Sequence, residues 1–87
     1  MSDFWFVYVL RSQYGEYRYV GSTNDVQRRL SEHNLGRVQS TKPYRPLELE
    51  AYIALKDEHR AREVEKYFKT GSGKTVLLRR LLSTKVK

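Results

Sequence analysis

Three residues that can carry charge, Arg29, His33 and Glu65, stand where the spacing of their neighbours calls for apolar side chains. Arg29 and His33 are one helical turn apart, so both can point to one spot. Glu65 lies between Val64 and Phe68 on the apolar side of its segment, and a carboxylate is almost never buried without a partner. Each has a structural explanation. Arg29 can carry its charge outward from the edge of the stripe, His33 can be a hydrogen-bonded and partly buried ring, and Glu65 can be ion-paired to Arg29. A hard divalent cation would satisfy Glu65 equally, because Mg²⁺ takes oxygen ligands and is often held by one or two carboxylates plus waters and substrate oxygens. Spacing does not choose between ion pair and metal. Tyr8 and Tyr19 extend the set. Tyrosines are common in strands and seven are present. Two inward ones beside Arg, His and Glu nevertheless make a hydrolytic constellation. A phenolate or phenol-held water would serve as base, a guanidinium fork would bind phosphate, and a carboxylate-held metal would stabilise charge on the leaving oxygen.

These side chains can meet only if their elements place them together. Residues 4 to 10 (FWFVYVL) are aromatic and β-branched on both sides, which predicts a central strand covered on both faces. A turn at Gln13-Tyr14-Gly15-Glu16 and a strand over Tyr17 to Ser22 complete a hairpin. Alternation puts Tyr8 on one face with Phe4, Phe6 and Leu10, and Tyr19 with Tyr17 and Gly21, so the two tyrosines can converge. Asn24 and Gln27 resemble a capping pair and Gly36 a terminator, bracketing a helix near 25 to 35 with the inner stripe Val26, Arg29, Leu30 and His33. Residues 36 to 46 hold two prolines and no period, the mark of a surface loop, and a basic one through Arg37, Lys42 and Arg45. Leu47, Leu49, Ala51, Ile53 and Leu55 alternate with Glu48, Glu50 and Tyr52, predicting an edge strand with one buried face. Asp57 and Glu58 open a second helix with the stripe Ala61, Val64, Glu65 and Phe68, and Gly71 is placed to end it. Ser72 can cap a third helix carrying Leu77, Leu78, Leu81 and Leu82. The order is ββαβαα, hence an α+β fold. Gly71-Ser72-Gly73-Lys74-Thr75 looks like the end of a P-loop, but Phe68 stands where that motif needs glycine, and a helix precedes it instead of a strand. A helix N-terminus with Lys74 can still contact a backbone phosphate.

Eighty-seven residues make one domain, 1–87 with a core over about 4–82, because so short a chain builds a single core. The 31% charged fraction and the lack of a long apolar run exclude a membrane span, and Met1-Ser2-Asp3 lacks the basic start of a signal peptide. With no cysteine, neither a disulfide nor a thiolate metal site is available, which fits a cytoplasmic setting. The net charge is +7, and residues 66–87, with Lys66, Lys69, Lys74, Arg79, Arg80, Lys85 and Lys87 and no acidic residue, account for all of it. A basic field at one end attracts polyanions, nucleic acid above all. An ordinary solvated basic helix and tail would read the same way.

With those elements in place, the chain resembles the GIY-YIG nuclease superfamily, in particular its short stand-alone bacterial members of the UPF0213 type. Val7-Tyr8-Val9 stands at the Gly-Ile-Tyr-like element and Tyr19-Val20-Gly21 at Tyr-Ile-Gly. Arg29 and His33 match the family's Arg-x-x-x-His helix, and Glu65 its metal-binding glutamate. The resemblance runs from about residue 4 to about residue 82. It implies a three-stranded antiparallel sheet flanked by three helices, with Tyr8, Tyr19, Arg29, His33 and Glu65 lining one cleft, and DNA cleavage that depends on Mg²⁺ (or Mn²⁺). Tyr8, helped by His33, would act as or position the base; Arg29 would bind the scissile phosphate; Glu65 would hold the metal; and Tyr19 would orient water or phosphate. Gly21 would let the backbone turn tightly into the first helix.

The glycine of the first element is replaced by Val7, and residues 66–87 contain no Asn, although many family nucleases use one late in the domain. Larger relatives carry extra domains that choose the target. These 87 residues are expected to hold none, so specificity is expected to be low, or to come from a targeting protein partner or a DNA structure, as in repair. Arg37, Lys42, Arg45, Lys69, Lys74, Arg79 and Arg80 are the expected DNA contacts. Two other readings compete with the endonuclease: a non-catalytic nucleic-acid-binding module, and a protein-interaction domain on the same fold. The sequence is silent on oligomeric state.

Overall fold

The computed structural model describes residues 3–82; the predicted basic residues Lys85 and Lys87 lie outside them. The chain runs β1 (Trp5–Ser12), β2 (Arg18–Thr23), α1 (Val26–Asn34), β3 (Leu47–Leu55), α2 (Glu58–Phe68) and α3 (Gly71–Val76). A 3₁₀ turn at Lys42–Tyr44 precedes β3, and a π turn at Leu77–Leu81 follows α3. This is the expected ββαβαα order, an α+β fold with one antiparallel sheet in the order β2-β1-β3. Apolar on both sides, β1 takes the centre. Val7 and Val9 pack with Ala61, Phe68, Leu77 and Leu82 on one face. Tyr8 and Leu10 pack with Tyr17, Tyr19, Leu30 and Leu49 on the other. No helix among the described residues is long and apolar enough to cross a membrane.

β3 is an edge strand, as expected, but its alternating residues do not share one buried face. Val9 pairs with Ala51 while Leu10 pairs with Leu49, so Glu50 is an extra residue, a β-bulge. One added residue reverses the alternation beyond it. Leu47 and Leu49 therefore join the α1 side, and Ala51, Ile53 and Leu55 the α2 side. Glu50 itself reaches across the sheet to Arg18 with two hydrogen bonds, of 2.7 and 3.1 Å.

The helix ends differ from expectation by a residue or two. α1 is capped by Asp25, whose carboxylate accepts from the Arg28 N–H, while the Asn24 side chain accepts from the Arg28 guanidinium instead. α2 stops at Phe68 with Lys69 as its C-cap, and Gly71, expected to end it, opens α3. Thr70 makes this close junction. Its hydroxyl donates to the Tyr67 carbonyl (2.7 Å) and accepts from the Gly73 N–H (3.1 Å), so Thr70, not Ser72, caps α3. Gly73 passes so near that a Cβ there would lie 1.7 Å from the Tyr67 carbonyl oxygen. Close backbone packing thus explains the second glycine of the P-loop-like run, Gly73. Of the four leucines expected on one helical face, Leu77 and Leu82 are buried, whereas Leu78 and Leu81 are 38% and 49% exposed. The π turn spaces the buried pair by five residues, with the Leu82 N–H bonded to the Leu77 carbonyl at 2.9 Å.

The α2–α3 junction can be tested by two substitutions. Gly73→Ala is expected to lower the free energy of unfolding by about 2 kcal/mol or more. Gly71→Ala, whose methyl would meet nothing within 4 Å, is expected to be neutral or to stabilise by up to about 1 kcal/mol. Urea unfolding of both variants checks the difference, and equal effects would remove the close approach as its cause.

Candidate active site

β1, β2, α1 and α2 deliver the five predicted residues to the region around β2. In the hairpin Tyr8 pairs with Gly21 and Tyr19 with Leu10, which sets the two tyrosines diagonally on one face, ring centroids 6.2 Å apart. A Cβ at position 21 would stand 2.6 Å from the Tyr8 hydroxyl oxygen. This corrects the expected role of Gly21: it lies within β2, not in a turn, and its missing side chain is the space the phenol occupies.

His33, in the last turn of α1, is fully buried. Its Nε2 lies 3.0 Å from the Tyr8 hydroxyl and its Nδ1 2.7 Å from the Thr41 hydroxyl. Its ring centroid is 5.0 Å from that of Tyr19. The Thr41 hydroxyl is also oriented to donate to the Val38 carbonyl, at 3.4 Å. We therefore assign the ring proton to Nδ1, donated to Thr41, which leaves the Nε2 lone pair to accept from Tyr8. Burial, with Arg29 nearby, holds the His33 pKa down to about 4, so the imidazole is neutral at neutral pH. Burial likewise pushes the Tyr8 phenol up to about 12, although the Arg29 guanidinium pulls the other way. Thr41 is a site residue the sequence did not reveal. It is fully buried within a segment expected to be only surface loop, and no periodicity there marks it.

Arg29 donates to Glu32 on its own helix, at 2.8 Å, and this bond keeps its guanidinium firmly protonated. The ion pair between Arg29 and Glu65 that the sequence allowed is not formed. Glu65 reaches instead from α2 to the Ser22 hydroxyl, which donates to Oε1 at 2.6 Å, and to the Lys69 ammonium, 2.9 Å from Oε2. Burial opposes its charge, but these two hydrogen bonds prevail and hold the carboxyl below its ordinary range. Lys69 Nζ also lies 5.6 Å from the Tyr19 ring centroid, linking the two halves of the site. Ser22 was missed as well, because strand alternation points it away from Gly21 and only the packing of α2 supplies its partner.

The predicted DNA-contact residues are scattered more widely. Lys69 belongs to the site and Lys74 lies beside it. Arg37, Lys42, Arg79 and Arg80 are exposed on other elements. Arg45 is exposed too, but its Nε donates to the Lys42 carbonyl at 2.9 Å and its guanidinium packs on Gly36, so it pins the loop.

Residues 4–77 match the family described as the GIY-YIG catalytic domain. The chain belongs to the GIY-YIG family. That is a family of nuclease domains, acting on DNA and generally dependent on a divalent metal. No curated protein and no solved structure is significantly similar to the chain. In this GIY-YIG domain no three His, Asp or Glu side chains come together among the described residues, so a multi-ligand cage is not what a metal would meet. A single carboxylate, Glu65, with the Ser22 hydroxyl beside it, fits an ion that keeps its waters and takes oxygens from substrate. The Lys69 ammonium against Oε2 already balances the charge of that carboxylate.

The buried imidazole makes stability depend on pH. His33 takes a proton near 6.5 when exposed but only near 4 when folded. Between those values the unfolded chain binds more protons, so stability rises with pH. The contribution, on the order of 3 kcal/mol, is complete above about pH 6.5 and is lost as pH falls to about 4. Glu32 and Glu65, held below the ordinary 4.5, lose theirs at lower pH, so the window from 6.5 to 4.5 reports His33. The urea midpoint is expected to fall across this window in the wild type and to stay nearly level in His33→Gln. An undiminished slope in the variant would exclude His33 as its source.

Proposed function

We propose that this chain is an endonuclease that hydrolyses phosphodiester bonds in DNA with the help of Mg²⁺ or Mn²⁺. The observation that carries the reading is the hydrogen bond from a buried tyrosine to a neutral histidine, within electrostatic reach of both Arg29 and Glu65. Tyr8 donates its proton to His33, so its oxygen lone pairs can accept one from an attacking water. As that water adds to phosphorus, its proton passes to Tyr8 while the phenol proton moves to His33 Nε2. A phosphate brought beside Arg29 and Tyr8 would add negative charge that favours the imidazolium. Arg29, with one Nη held by Glu32, has further N–H donors for the non-bridging oxygens. Tyr19, flanking Tyr8 and His33, would orient the water or the phosphate. Glu65 would hold the metal, whose chemistry when bound is to offset charge on the leaving oxygen. The P–O bond to that oxygen breaks, and the departing alkoxide takes a proton from solvent.

A second reading, a nucleic-acid-binding module without catalysis, is favoured by one observation: both Glu65 oxygens already have partners in Ser22 and Lys69. Cleavage of labelled plasmid, branched and single-stranded DNAs with Mg²⁺ or Mn²⁺ decides between the two. The endonuclease predicts metal-dependent products that disappear in Glu65→Ala, and a kcat lowered by about 10²–10⁴-fold in Tyr8→Phe. Salt-sensitive binding with no product from the wild type would favour the module, and products surviving Glu65→Ala would sink the metal assignment.

A further inference from the structure

Directly beside Tyr19 and Lys69, between β2 and the helices that follow α2, lies a groove of about 220 Å³. One wall is apolar: Leu78, 38% exposed, lies beside the buried core residues Phe68 and Leu77. Its cations are arranged asymmetrically. Arg18 is neutralised by Glu50 at 2.7 Å, and Lys69 is shared with Glu65. Lys74 makes no ion pair among the described residues.

An apolar wall with ammonium groups along it suits a ligand that joins a flat apolar face to an anion, and a nucleotide is such a ligand. Duplex DNA does not offer that combination, because its base faces are covered by stacking and only its phosphates and groove edges are exposed. Stacking faces become available where a strand is unpaired. We infer that this groove binds an unpaired nucleotide of the DNA strand flanking the scissile phosphate, its base against Leu78 and its phosphate near Lys74. The inference rests on the nuclease reading for its geometry, since Tyr19 and Lys69 are common to the groove and the candidate active site. It makes the preferred substrate a DNA in which one strand leaves the duplex.

The test separates binding from hydrolysis by using Glu65→Gln protein without divalent metal. Fluorescence anisotropy compares a labelled single strand, a flapped duplex and a blunt duplex of equal length. Adding Leu78→Asn, which changes no charge, is expected to weaken single-strand and flap binding about fivefold and blunt-duplex binding by less than about twofold. As a second measurement, Leu78→Trp in a Trp5→Phe background places an indole at the groove. Its emission is expected to be quenched by the single strand and not by the blunt duplex. Equal weakening on all three DNAs, no weakening on any, or emission indifferent to the single strand would overturn the groove assignment. Because no cleavage is read, failure of the hydrolytic reading leaves these outcomes interpretable. Wild-type cleavage of blunt duplex as fast as of flapped duplex, with binding unchanged by Leu78→Asn, would overturn the groove while leaving the nuclease standing.

Discussion

A phenol buried at the centre of a sheet must find a hydrogen-bond partner or leave a polar group stranded, at a penalty of about 1–3 kcal/mol. Tyr8 finds it in His33, and much of the domain is arranged to allow that bond. Gly21 on the neighbouring strand must lack a side chain, because the phenol fills the space a Cβ would take. The last turn of α1 must lie over the sheet so that His33 faces Tyr8. Thr41 must then be drawn inward to satisfy the second ring nitrogen, which ties down a segment that would otherwise run free over the surface. The stack of Tyr17 on Tyr44, 3.8 Å apart and nearly parallel, fastens the same segment to the residue just before β2. One buried hydrogen bond thus coordinates a strand pair, a helix and a loop.

The second organising feature is that β2 is an edge strand. Tyr8, Tyr19 and His33 occupy the α1 side of the sheet, whereas Ser22 and Glu65 meet on the α2 side. Two opposite faces can contribute to one site only where no further strand separates them. Lys69 spans the gap, an ion pair to Glu65 on one hand and a tyrosine ring on the other. With Lys69 about half exposed, that ion pair adds little to stability. Its consequence is electrostatic: the only carboxylate of the five predicted residues is kept charged and already accommodates a cation.

Much of the fold was legible because its signals are local. The doubly apolar run of β1, the turn after it, and the helical stripes of α1 and α2 depend only on the periodicity of neighbouring residues. The misread helix ends share one cause, competition between nearby residues for the same backbone groups. Asp25 and Asn24 both suit an N-cap, as do Thr70 and Ser72, and the choice falls on whichever side chain the preceding element leaves in reach. The bulge at Glu50 has a different cause. Nothing in Leu47 to Leu55 departs from clean alternation, and only pairing with β1 forces the extra residue.

The sequence by itself determined the element order, the α+β class and the five chemically distinctive residues, because a charged or titratable group on an apolar stripe is visible without coordinates. Tertiary structure decided who partners whom. Glu65 meets Ser22 and Lys69 rather than Arg29, His33 is held by Thr41, Gly21 makes room instead of a turn, and Leu78 lines a groove instead of the core. Each of these depends on distances between segments far apart in the chain. Such distances are set when side chains from opposite sides of a sheet compete for the same small volume, which no local periodicity records.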